Sequence, residues 1–477
     1  MNFRGLPGLL HASVGVALGA LMASCTSAAA TAGPAQYETG LWPQRPVVEL
    51  SYDVAPDLRS ATGRESVVFT PDSRTCELVF RAWPNNPTIS KSGSALTVTD
   101  TNVDGRQVAG QVSAAGALPG APGTLIQLPL PQCLEPGRSV RADLGFRLVL
   151  GENADERVGV NPETQTAWFG SGFPLPAWIR GQGWARDPAV PMNGETAASE
   201  DFTLADLSVT APANYRVVGT GVAAGQQAGP RAGTSTHRFT ARAVRDVAVA
   251  VGRYDVVDHD IDGVRLHLAT PVSGTRADPQ EWLKQIGTAI RSLTGLFGPF
   301  PYPDLWVTIT PGQSDGTEFP TALQFGDIKR SHLRALVAHE ISHQWVYSLV
   351  GNNQAEHPWL DESLATLGEG IAGGDSNDYQ YSEISGRVTG LMGQPMAYWP
   401  QHGGFQRYTE AVYDQGAAAL LRARRQVGAE GFDAALRAYV KANAHRVATP
   451  ADFAHAFASM PQVAEILNRT GALGSDR

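Results

Sequence analysis

Two histidines four residues apart with a glutamate between them, His339-Glu340-Ile341-Ser342-His343, constrain the fold of this chain more than any other stretch. On an α-helix a four-residue step returns to the same face, so the two imidazoles can share one metal ion if the segment is helical. Glu340 then lies beside the open coordination position. The apolar residues Leu333, Leu336, Val337, Ile341, Val346 and Leu349 recur mostly at three- and four-residue steps, which predicts a helix from Lys329 to Val350 with Gly351 as its stop. Further on comes Trp359-Leu360-Asp361-Glu362, with eighteen residues between His343 and Glu362, and a second helix, closed by Gly373-Gly374, brings Glu362 in as third ligand. Two histidines and one glutamate are the ligand set of a catalytic zinc that keeps a position free for water, so one zinc ion is expected. The competing reading, three polar residues on a water-facing stripe, has to explain a His-Glu-His trio that is costly to bury without a metal or hydrogen-bond partners.

The rest of the chain divides by texture. From Pro46 to residue 252 it consists of short apolar or alternating runs bounded by Gly, Pro, Asp and Asn, among them Ser66–Phe69, Glu77–Phe80, Ala95–Val98, Thr124–Leu128, Phe146–Leu150 and Thr203–Val209. These predict an all-β domain, saddle- or sandwich-like, with a default role as scaffold or substrate wall. Asp258-His259-Asp260-Ile261-Asp262-Gly263 begins like a calcium loop, but Ala269 stands where a bidentate glutamate is required, and a hairpin turning at Asp262-Gly263 explains it better. Helical patterns begin near Asp278-Pro279 and, apart from strands at Leu305–Thr310 and Thr321–Phe325, continue to about Ala458. An α+β fold follows: residues 46–252 as the β domain and 253–477 as a thermolysin-like, mostly helical catalytic domain.

The formal charge of -9 leaves no basic stripe for phosphates and argues against a nucleic-acid partner. Residues 1–25 read as an export signal. Arg4 precedes an apolar segment, and Leu21-Met22-Ala23-Ser24-Cys25 is similar to a bacterial lipobox, which would lipidate Cys25 and hold the protein at the outer face of the cell membrane. Ordinary secretion with Cys25 incidental is the alternative. Residues 26–45, rich in Ala, Thr, Gly and Pro, read as a flexible tether. With Cys25 set aside, Cys76 and Cys133 form a pair, and an oxidising compartment favours a disulfide between them over two buried thiols.

Taken in order, these motifs resemble the aminopeptidase N family of gluzincin zinc metallopeptidases, over about residues 45 to 458. His339 to Trp345 with Trp359 to Glu362 is similar to that family's zinc signature, spacing included. Gly316-Thr317-Glu318-Phe319-Pro320 resembles its exopeptidase motif, whose glutamate holds the substrate's α-amino group, although Thr317 and Phe319 replace the usual methionine and asparagine. Tyr413-Asp414-Gln415-Gly416-Ala417 is similar to the segment with the catalytic tyrosine, and Phe297 to Tyr302 to a characteristic turn. The family's second amino-group contact is not recognisable; Ala167 to Pro174 occupies that neighbourhood with different chemistry. Longer members continue into a large helical domain, so the chain reads as a short form with a more open site.

The resemblance implies removal of N-terminal residues from peptides. His339, His343 and Glu362 would hold zinc, and Glu340 would shuttle the proton from water to the leaving amine. Tyr413 would donate to the oxyanion, Glu318 would hold the ammonium group, and Gly316 and Thr317 would line the peptide with their backbone. Asp361 is expected as a hydrogen-bond partner of a ligand imidazole. The rival readings are a zinc endopeptidase or other amide hydrolase, and a surface binding or assembly protein on the same fold.

Overall fold

The computed structural model describes residues 35–192, 198–374, 379 and 385–474, and every count below is of these. Residues 1–34, with the signal segment, Cys25 and the first part of the expected tether, lie outside them. The second part of that tether is packed instead. Ala35–Gly40 forms a turn of 3₁₀-helix, the Tyr37 hydroxyl donates to the Pro299 carbonyl at 3.0 Å, and Trp42 is buried. Two large aromatic anchors are what a flexible linker lacks, and here they fasten the chain start to the body.

Alternation builds the β domain. Val47–Val54 turns Val48, Leu50, Tyr52 and Val54 inward, and Ser60–Phe69 does the same with Ala61, Val67 and Phe69. These two strands are the middle of an eight-stranded sheet. On one side follow Phe202–Pro212, Thr234–Val244 and Val222–Ala228; on the other, Val140–Val149, Ala95–Val103 and Arg106–Gln107. Two four-stranded sheets, one carrying Thr166–Gly170, the other Thr75–Ala82 beside Leu125–Leu134, and a two-stranded ribbon of Trp178–Ile179 with Gly183–Trp184 complete the domain. The Cys76–Cys133 disulfide joins the last two strands.

A five-stranded sheet begins the second domain with the hairpin Tyr254–Ile261 and Val264–Pro271. Its turn places Asp262 and Gly263 at φ of 53° and 88°, the left-handed pair of a two-residue hairpin loop. Asp258 is engaged with His267 at 2.7 Å. The sheet continues through Asp304–Thr310 and Ala322–Gly326 to a short edge strand, Gly316–Thr317. Around it pack α1 (Pro279–Phe297), α2 (Arg330–Ser342), α3 (Trp359–Ala372), α4 (Gly404–Tyr408), α5 (Gln415–Val427), α6 (Ala429–Asn443), α7 (Pro450–Ala456) and α8 (Pro461–Thr470). Asp278 caps α1 by accepting from the Gln280 amide, and Thr449 and Asp452 form a capping box on α7. Trp306, Phe319 and Ala322 of the second domain belong to the apolar core of the first, so the two bodies share a packed seam.

The helix expected to reach Val350 ends eight residues sooner, at Ser342. Beyond it the chain folds back on itself: the Val350 amide donates to the Trp345 carbonyl, the Tyr347 amide to Val350, and Tyr347 takes φ of 88°. The fully buried Trp345 indole donates to the carbonyls of Gly298 and Pro299, which fixes this reversal. Gly351 is consequently in a short strand, Val350–Asn352, and does not stop a helix.

Candidate active site

Leu333, Val337 and Ile341 are fully buried along α2, and this apolar stripe sets which face is left for His339 and Glu340. His343 caps the helix in helical geometry, φ -63°, so it stays on the face of His339 although the helix has ended. Glu362 arrives on the first turn of α3. Its Oε2 lies 3.3 Å from His339 Nε2 and 3.6 Å from His343 Nε2. Donors about 2.0–2.1 Å from a tetrahedral zinc stand roughly 3.3–3.4 Å apart, so these separations fit zinc. The other ring nitrogens are held from behind, His339 Nδ1 by Glu369 Oε2 at 3.1 Å and His343 Nδ1 by the Val346 carbonyl at 3.3 Å. Both Nε2 atoms are therefore turned toward the shared position. Glu369 in turn accepts from the Tyr379 hydroxyl at 2.9 Å.

Asp361 does not touch an imidazole. It accepts from Gln354 Nε2 at 3.0 Å and from the Glu362 amide at 2.9 Å, which fixes the start of α3. The role expected of it belongs to Glu369, eight residues further along the same helix.

Glu340 and Glu318 line the open side. Their carboxylates and His343 lie within 4.8 Å of one another, and each has a buried oxygen, Glu340 Oε2 and Glu318 Oε1, without a hydrogen-bond partner. This second cluster has the spacing of a metal site too, but of the two rear-anchored imidazoles it has only His343. A buried carboxylate oxygen left without a donor is costly, and both glutamates line a cleft of about 510 Å³ that a polar ligand can enter. Gly316 makes the approach possible: a Cβ there would stand 2.4 Å from Glu340 Cγ. Gln344, adjacent to His343, pins the segment behind Glu318, accepting from the Thr321 amide at 2.9 Å and donating to the Phe319 carbonyl at 3.0 Å.

Tyr413 lies in a π-helical stretch, Thr409–Asp414, between α4 and α5 and not at the start of a helix. The extra residue in that turn re-aims its ring, which lies parallel to that of His339 at 5.6 Å. Burial, then the charge of Glu362, pushes the phenol well above its usual value, so Tyr413 is a neutral donor. Gly416 brings this segment onto α3, since a Cβ there would lie 2.2 Å from Ser363 Oγ.

Ala167 to Pro174 is not part of the cleft. Trp168 and Phe169 are buried in the β domain, and Gly170 packs under the Phe319 ring. The β domain lines the cleft instead with Trp83, Asn86, Asp155, Glu156 and Arg157. These residues were missed, as were Glu369 and Gln344: a polar loop and single residues on helical turns carry no periodic signal of function.

No family model matches the chain. Aminopeptidase M1 of Arabidopsis thaliana is 27% identical over 234 residues, covering 43% of this chain and 26% of that protein. Aminopeptidase M1-A of Oryza sativa is 26% identical over 231 residues, with the same coverage of 43% and 26%. The chain thus spans about a quarter of the length of the curated relatives it matches. Among solved structures, the M1 zinc metallopeptidase of Deinococcus radiodurans superposes with a TM-score of 0.64 at 18% identity, over 94% of this chain and 97% of that one. A mutant of it bound to a Tyr-Ser-Ala substrate gives 0.65 at 17%, over 92% and 98%. The resemblance read in the sequence is met on both counts: this chain has the two-domain fold of the M1 zinc metallopeptidases, the aminopeptidase N family.

Proposed function

We propose that this chain is a zinc aminopeptidase that releases N-terminal residues from peptides. The observation that carries this reading is Glu318: a buried carboxylate with an unpartnered oxygen, within one residue's reach of Glu340 and His343. Such a group attracts an ammonium and measures one residue from the peptide's end to the bond cut. His339, His343 and Glu362 would hold one zinc ion, which when bound polarises the scissile carbonyl and makes water more acidic. Glu340 takes the proton of the attacking water and delivers it to the leaving amine. Tyr413 donates its hydroxyl hydrogen to the oxyanion as it forms. Gly316–Thr317 is the edge of its sheet, so its outward backbone groups are available to an extended peptide.

The test is zinc content together with hydrolysis of free and amino-acetylated peptides. Cleavage of free peptides alone supports the reading; equal cleavage of both makes the protein an endopeptidase. The lipobox-like Leu21 to Cys25 further supports export and lipid anchoring at the membrane's outer face, and the Cys76–Cys133 bridge suits an oxidising compartment. A Cys25→Ala protein should leave the membrane fraction; unchanged partitioning sinks the anchor.

A further inference from the structure

The β domain holds the chain directly behind one of the zinc ligands. Arg245 and Asp246 follow on the strand Thr234–Val244, and both are buried. Arg245 Nε donates to the Ser348 carbonyl at 3.1 Å, and Nη2 to those of Leu349 and Arg446, each at 3.4 Å. From the β-domain side the same guanidinium is fixed by an ion pair with Asp201 at 2.8 Å and a bond from Nη1 to the Ser199 carbonyl at 2.6 Å. Gly351 admits it, since a Cβ there would stand 2.2 Å from Arg245 Nη1. Asp246 Oδ2 accepts from the Tyr347 hydroxyl at 3.2 Å and from Ser171 Oγ at 2.6 Å.

Three consecutive residues, Tyr347, Ser348 and Leu349, are thus tied to the β domain, and they follow directly on Val346, whose carbonyl holds His343 Nδ1. The Ser348 amide closes the reversal by donating to the His343 carbonyl at 2.9 Å. Tyr347 stands at φ of 88°, a conformation that costs an aromatic residue and persists only where its surroundings over-determine it. Glycine would take that φ without strain, but it has no hydroxyl to reach Asp246.

We propose, on the zinc-site reading above, that Arg245 and Asp246 are positioning residues for the metal: by fixing Tyr347, Ser348 and Leu349 they set the Val346 carbonyl, and through it the His343 imidazole. Zinc affinity then depends on the seam between the domains and not on the catalytic domain alone.

The test compares two hydroxyls on one carboxylate. Tyr347→Phe and Ser171→Ala each remove one donor from Asp246, but only Tyr347 belongs to the reversal. Zinc affinity is measured by competition with a chelator, and ligand geometry by visible absorption of the cobalt(II)-substituted protein. Tyr347→Phe should weaken zinc about fivefold, less than the roughly 10- to 100-fold of a group that touches the imidazole itself, and should shift the cobalt bands. Ser171→Ala should lower the melting temperature by a similar amount and leave affinity and bands unchanged. Arg245→Lys keeps a charge for Asp201 but loses the fork that reaches the Ser348 and Leu349 carbonyls together, and should weaken zinc about tenfold. An unchanged affinity and spectrum in Tyr347→Phe overturn the proposal, whether or not Arg245→Lys folds. Equal losses of affinity in Tyr347→Phe and Ser171→Ala overturn it as well, because general loosening would then be the cause. An unsubstituted protein that takes up no zinc sinks the aminopeptidase reading together with the proposal; one that holds zinc no more tightly than Tyr347→Phe sinks the proposal alone.

Discussion

Glu65 in the β domain and Glu340 in the cleft are both buried carboxylates with oxygens that no donor reaches, yet they mean opposite things. Glu65 sits alone on the inward face of Ser60–Phe69, near Tyr52, and burial raises its carboxyl well above the usual range. It resolves its cost by staying protonated. Glu340 is also pushed up by burial, but it faces two histidines, Glu318, Glu362 and an open cleft. An unpartnered acid in a sheet core is a local liability; the same acid among ligating groups at a cavity is the mark of a site.

That contrast can be broken at four points. The largest effect belongs to Glu340→Gln, which should lower kcat by about three orders of magnitude while leaving the melting temperature level or higher. A variant within tenfold of the original enzyme would mean that Glu340 is as idle as Glu65. Tyr413→Phe should reduce kcat by about a hundredfold with little change in KM, as expected for a donor used only in the transition state. A loss confined to KM would move Tyr413 to substrate binding. Glu369→Gln should weaken zinc about 10- to 100-fold in competition with a chelator, because it loosens the His339 ring. Unaltered affinity would show that the ring needs no such support.

The smallest effect lies at Glu65. A carboxyl whose folded value is raised contributes stability that is present below its unfolded value of about 4.3 and lost as pH rises toward the folded one. Glu65→Met should therefore gain on the order of 1–2 kcal/mol at pH 8 and little at pH 4, measured by urea unfolding at both. An equal gain at both would mean packing, and not charge, is what the glutamate costs.

Much of this was legible in local pattern. A four-residue step places His339 and His343 on one face whatever surrounds them, alternation announces strands, and Asp262-Gly263 specifies its own turn. Where the pattern misled, a distant contact had decided the outcome: Trp345 reaching the carbonyls of Gly298 and Pro299 ends α2 early, and Tyr37 and Trp42 fasten a stretch that composition reads as loose.

The sequence by itself determined the ligand types, the helical step that pairs the histidines and the order of β domain before helical domain, because each depends on residues close in the chain. Only the tertiary structure decided that Glu369, and not Asp361, holds His339, that a π-turn aims Tyr413, and that Arg245 and Asp246 reach the chain behind His343. Those choices depend on how close α3 comes to α2 and how the two domains meet, and such distances are set by packing between segments far apart in the chain.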